Sequence, residues 1–128
     1  MLRGIGDKES IAAVTAPATL SASYLSSAVD LKGKRNHAFC IQVGSFAFDA
    51  TNKLTYAIHE SDDNSTYAAH SDSGTLVLNN QATQENKVHM LEYKGNKRYV
   101  KLDVVEAGTV SVAHAVTALS TELEQMPA

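Results

Sequence analysis

Five histidines, His37, His59, His70, His89 and His114, and a single cysteine, Cys40, are the side chains best suited to hold a metal or act as a nucleophile. Compact zinc sites place two ligands within about five residues of each other. No two of the histidines approach that spacing, so a zinc site would need strands to gather them from a distance. Cys40 lies in the apolar run Ala38 to Val43 and reads as a small buried hydrophobe. With one cysteine no internal disulfide forms, which fits a reducing compartment. The stretch Glu60-Ser61-Asp62-Asp63-Asn64 offers several oxygens to calcium, but it lacks the alternate acids, central Gly and distal Glu of an EF-hand loop. Asp62, Asp63 and Asn64 instead suit a hairpin turn, because their short polar side chains bond their own backbone and tolerate positive φ. At a turn, paired carboxylates are hard to bury and tune as an acid and a base. There is no Gly-x-Ser-x-Gly elbow, and Gly4 and Gly6 are not followed by the residues of a phosphate loop. The expectation is a protein without catalytic residues, metal or cofactor. The most suggestive charged group is Lys94, Lys97, Arg98 and Lys101, beside a turn at Gly95-Asn96. Lys97, Tyr99 and Lys101 would share one strand face and meet an acidic partner, although a solvated edge strand guarded by lysines has the same composition.

Period-2 alternation dominates the elements that position these residues. Phe39, Ile41 and Val43 alternate with Cys40 and Gln42, and Leu54, Tyr56 and Ile58 with Thr55, Ala57 and His59. Thr75 to Leu78 is a short apolar strand, and Val88, Met90 and Leu91 belong to another. Val100, Leu102 and Val104 alternate with Tyr99, Lys101 and Asp103, which gives one buried and one wet face. Val110, Val112, His114 and Val116 close the series. Turn residues punctuate these runs at Lys32-Gly33, Gly44-Ser45, Asp49 to Asn52, Ser61 to Ser65, Ser71 to Gly74, Gln81 to Asn86, Gly95-Asn96 and Ala107-Gly108. The pattern predicts an all-β, single-domain antiparallel β-sandwich or barrel of about seven or eight short strands. Two stretches have helical composition. Ala118 to Gln125 is too short to be stable alone, and Asn79 to Lys87 reads better as a loop.

Residues 1–20 stand apart from the domain at 21–128. They begin Gly-rich and charged, continue in small residues and are broken by Pro17. They are expected to form an extended N-terminal arm that orders against a partner, with Ile11, Val14 and Leu20 as its apolar contacts. The chain has 128 residues and 44% hydrophobic content, enough for one core, but only 6% aromatic residues and no Trp. A net charge of −3 argues against a nucleic-acid platform. No run approaches the roughly 20 apolar residues of a membrane helix, and Gly4, Gly6, Asp7, Lys8 and Glu9 do not resemble a secretory signal.

Two segments carry a family resemblance. Glu60-Ser61-Asp62-Asp63-Asn64-Ser65-Thr66-Tyr67 is followed some thirty residues later by Tyr93-Lys94-Gly95-Asn96-Lys97-Arg98-Tyr99-Val100-Lys101. Upstream lie Val29-Asp30-Leu31-Lys32-Gly33 and Phe39-Cys40-Ile41-Gln42-Val43-Gly44. In this order and spacing they resemble small β-rich structural proteins of tailed bacteriophages and prophages, over roughly residues 28–105. The resemblance implies a virion component, made in the bacterial host cytoplasm and placed on the head as a decoration or cement protein. Its partner would be the major capsid protein, bound as a homotrimer or other homo-oligomer. A tail or head–tail connector component is the alternative, and a glycan- or surface-binding β-module a third. The third is poorly supplied with exposed aromatics for stacking on sugars.

Overall fold

The structure, a computed structural model, describes residues 9–49 and 51–122. Ten strands occur among them: β1 (Glu9–Leu20), β2 (Tyr24–Leu25), β3 (Val29–Asp30), β4 (Lys34–Val43), β5 (Lys53–Ser61), β6 (Ala68–Ala69), β7 (Thr75–Leu78), β8 (Lys87–Tyr93), β9 (Tyr99–Ala107) and β10 (Val112–Glu122). One sheet has the order β1-β10-β4-β8; the other has β2-β9-β5-β6, with β3 also on β9 and β7 also on β5. Every strand pair is antiparallel. The all-β antiparallel expectation therefore holds, with two sheets enclosing one core.

The alternation seen in the sequence fixes which side chains enter that core. Phe39, Ile41 and Val43 point inward from β4, Tyr56 and Ile58 from β5, Val100, Leu102 and Val104 from β9, and Val116 from β10. Most of these are fully removed from water. Each contributes roughly 1.5–3 kcal/mol through burial of apolar surface. Asp63 Oδ1 accepts the backbone N–H groups of Ser65 at 2.9 Å and Thr66 at 3.0 Å, and Asn64 adopts φ 61°. The acidic stretch is thus a self-bonded turn, as its side chains predict.

Three expectations need correction. Ala118 to Gln125 is not helical where described. Ala118 and Ser120 continue the inward alternation of β10, which is hydrogen-bonded on both sides, to β1 and to β4. Residues 123–125 lie outside the described residues. Within Asn79 to Lys87 the chain makes a single helical turn, α1 (Gln81–Gln84). Residues 9–20, expected to form a separate arm, are an edge strand of the domain's own sheet, in register with β10 from Glu9↔Thr121 to Leu20↔Val112. Irregularities between Ala13 and Thr15 and between Thr15 and Ala18 interrupt that pairing. Pro17 is tolerated there because an edge strand needs only one side of its backbone bonded. Residues 1–8 of the expected arm lie outside the described residues.

Candidate functional site

The four basic residues singled out by sequence do not converge. Lys97 and Arg98 precede β9 and are already paired. The Lys97 ammonium donates to Asp62 at 2.7 Å, and the Arg98 guanidinium grips both oxygens of Asp30 at 2.9 Å. The Arg98 contact, followed by the Lys32 backbone N–H, holds the Asp30 carboxyl down to about 2. Lys101 projects from the outer face of β9 and stacks 4.5 Å from the Tyr67 ring centroid, while Lys94 is exposed. Of the expected arm contacts, Leu20 is buried in the core and Val14 packs against it. Both face inward because β1 is part of the sheet. Ile11 faces the other way and is 65% exposed.

The histidines are dispersed and locally bonded. His70 meets the Ser73 hydroxyl at 2.7 Å, His89 the Gln84 carbonyl at 2.9 Å and His59 the Asp103 carboxylate at 3.4 Å. His114 is buried between two tyrosines, Tyr24 at 3.0 Å and Tyr56 at 3.2 Å. Among the described residues no three His, Cys, Asp or Glu side chains gather in a metal-binding arrangement. Cys40 departs from expectation. It is half-buried on the outer face of β4, one residue out of phase with Phe39 and Ile41, and partial burial pushes its thiol pKa up.

That outer face of the four-stranded sheet is the feature sequence reading missed. Cross-strand register sets rows across it that include Ile11–Leu119–Ala38–Glu92, Ala13–Thr117–Cys40–Met90, and Ala115–Gln42–Val88, with Glu9–Thr121–Asn36 beyond them at one end. Glu92 is the one charged residue among the eleven of the first three rows. Val88 and Met90 are 62% and 60% exposed, so with Ile11 three of the large exposed hydrophobics of the described residues share this face. At one end, where Pro17, Ala18, Val88 and Ala115 meet, the surface sinks into a concavity of about 510 Å³. The opposite face of the domain differs in character, since Lys101, His59 and Asp103 stand on it. The available signal was the phase of β8. His89, Leu91 and Tyr93 alternate with Val88, Met90 and Glu92, and the buried aromatic at Tyr93 identifies the inward set. Sparsely charged faces with large exposed apolar side chains are uncommon on surfaces that meet only water and mark contact sites.

No family model matches the chain, and no curated protein matches it. Among solved structures it is similar to one described under the words "Bacillus endospore appendages form a novel family of disulfide-linked pili", at 9% identity, 97% coverage of this chain, 98% of that chain and TM-score 0.48. A Desmodium yellow mottle tymovirus chain has 6% identity, 100% and 97% coverage and TM-score 0.33. The Eiger TNF of S. frugiperda has 8% identity, 89% and 96% coverage and TM-score 0.34. At such low identity and TM-score these likenesses assign no function.

Proposed function

We propose that this chain is a non-enzymatic structural subunit that docks on a protein lattice through the outer face of its four-stranded sheet. In its most specific form it is a decoration protein on the head of a tailed bacteriophage, bound to the major capsid protein. The single observation that carries the docking is the sparsely charged face bearing the exposed Ile11, Val88 and Met90. The placement on a phage head rests on the sequence resemblance at residues 28–105. Four strands spaced about 4.8 Å apart, the longest with 12 residues, give a face on the order of 760 Å² in projection. That is close to the ~800 Å² each partner contributes to a stable interface. Repetition on a lattice then raises the effective concentration for further contacts.

Localisation of the chain in purified particles by cryo-EM tests the reading. Copies spread over the capsid with the Met90 face turned toward the shell are expected. A few copies confined to the neck or tail would make it a connector component. Absence from particles would overturn the virion assignment. Cys40 supplies an independent probe, because it lies in the middle row of the face. Its alkylation at a pH alkaline enough to form thiolate despite the raised pKa should be blocked on particles and proceed in the free protein. Equal alkylation in both states would exclude docking through this face.

A further inference from the structure

A second surface, at one end of the sandwich, has the opposite chemistry. Here the connection from β3 to β4 meets the connection from β8 to β9, and the two are bonded together. The Leu31 N–H donates to the Arg98 carbonyl at 2.7 Å, and Arg98 grips Asp30. The Lys97 N–H donates to the Tyr93 hydroxyl at 2.9 Å. Between them lies a concavity of about 410 Å³ whose wall carries Lys32, Lys97 and Arg98 and, among the described residues, no carboxylate. Asp30 and Asp62, which pair with Arg98 and Lys97, stand outside that wall. The Lys32 ammonium makes no ion pair among the described residues.

His37 also lines this concavity and is only 3% exposed. Its Nδ1 lies 3.0 Å from the Ser120 hydroxyl, and its Nε2 is buried without a hydrogen-bond partner among the described residues. Leaving a buried polar group unpaired costs about 1–3 kcal/mol. When the Ser120 hydroxyl donates to Nδ1, the orphan nitrogen carries the proton and is a donor. A buried donor without an acceptor in the wall of a cationic cavity is what an oxyanion satisfies through a bridging water, once a small shift of the His37 ring brings Nε2 to the cavity.

We propose that this concavity is an oxyanion site that accepts a carboxylate or phosphate group, from a small free anion or from an acidic side chain of a docked protein. Bonds within the protein fix its two walls, so binding requires little reordering. The site is independent of the docking face, and failure of either leaves the other standing.

Amide chemical shifts of the full chain, followed during titration with inorganic phosphate, with citrate and with hexaglutamate at constant ionic strength in chloride, test it. Saturable shifts confined to residues 31–37 and 93–98 are expected. Lys32→Glu should weaken binding at least tenfold while thermal unfolding stays unchanged. His37→Phe should weaken it as well, which separates the site from simple attraction to lysines. Tighter binding of hexaglutamate than of phosphate would identify a protein carboxylate as the source, and the reverse a free anion. Shifts that do not saturate, that spread over every lysine, or that survive Lys32→Glu would overturn the proposal.

Discussion

The Tyr56 hydroxyl on β5 lies 3.2 Å from Nδ1 of His114 on β10, so a polar bond crosses the core between the two sheets. On the other side of the ring, Nε2 lies 3.0 Å from the Tyr24 hydroxyl, which lies 3.0 Å from Thr15 Oγ1 on the edge strand. A neutral imidazole satisfies this chain from both ends, donating at one nitrogen and accepting at the other. Replacing His114 with Leu strands the Tyr56 hydroxyl, at a cost of about 1–3 kcal/mol beyond the lost packing. Urea unfolding of His114→Leu, Tyr56→Phe and the double variant should show the double variant less destabilised than the sum. Strict additivity would mean that the bond contributes nothing.

The same burial makes stability depend on pH. Desolvation lowers the His37 pKa from 6.5 to about 4 and lowers that of His114 as well. A group whose folded pKa lies below its unfolded value binds more protons when unfolded. Stability is therefore complete above the unfolded pKa of 6.5 and falls with pH until about 4, where His37 protonates in the folded state too. The His37 displacement corresponds to about 3 kcal/mol. Urea midpoints at pH 7.5, 5.5 and 4.5 should decrease in that order, and His37→Phe should flatten the slope. A wild-type protein with the same midpoint at all three values would refute this account.

Gly95 owes its identity to a close approach. A Cβ there would collide with the Tyr93 ring, whose hydroxyl accepts the Lys97 N–H and donates to the Glu60 carboxylate at 2.7 Å. Gly95→Ala should cost about 1–3 kcal/mol, as overpacking does. Gly33→Ala meets open space, so its cost comes from φ 78° alone. Thermal unfolding of the pair separates the two causes: in Tyr93→Leu, which removes the ring, Gly95→Ala should become less damaging and Gly33→Ala unchanged.

Sequence periodicity located the interior of the fold well because a half-buried strand must alternate. Residues 39–43, 54–58 and 100–104 could not be read otherwise, and the Asp63 turn followed from its own side chains. The pieces that escaped are those held by partners rather than by pattern. β2, β3 and β6 have two residues each, too few to show a period. β1 is rich in Ala and Thr and crosses Pro17, so it reads as a tail until its register with β10 is known. Both candidate surfaces were poorly legible for the same reason. Ile11, Met90 and Cys40 come from separate strands, as do Lys32 and Arg98 from separate turns, and only strand order brings them together.

Because β1 belongs to the sheet, removing it tests the fold and not attachment. Deletion of residues 9–20 would uncover one side of β10, remove Leu20 from the core and break the Thr15–Tyr24 bond. The truncated chain should melt well below the full one and associate through its exposed edge. Ile11→Lys instead leaves the backbone pairing intact and should change stability by no more than about 0.5 kcal/mol. Comparable melting of the truncated and full chains would show that β1 contributes little.

Met90 and Leu91 are chain neighbours on opposite faces of β8, 60% and 7% exposed. An aspartate at either position has the same chemistry but a different solvent. At Met90 it stays hydrated, so Met90→Asp should alter unfolding free energy by only about 0.5 kcal/mol. At Leu91 it must either lose its water or open the core next to Phe39, with which it is in register. Leu91→Asp should therefore cost more than about 3 kcal/mol. If the outer face docks on a capsid, Met90→Asp yields a folded protein that no longer binds particles, because the charge must be desolvated at the interface. Particle co-sedimentation together with a urea melt reads both effects. A Met90→Asp protein that melts and binds as the wild type would remove this face from the assembly interface and leave the fold assignment unaffected.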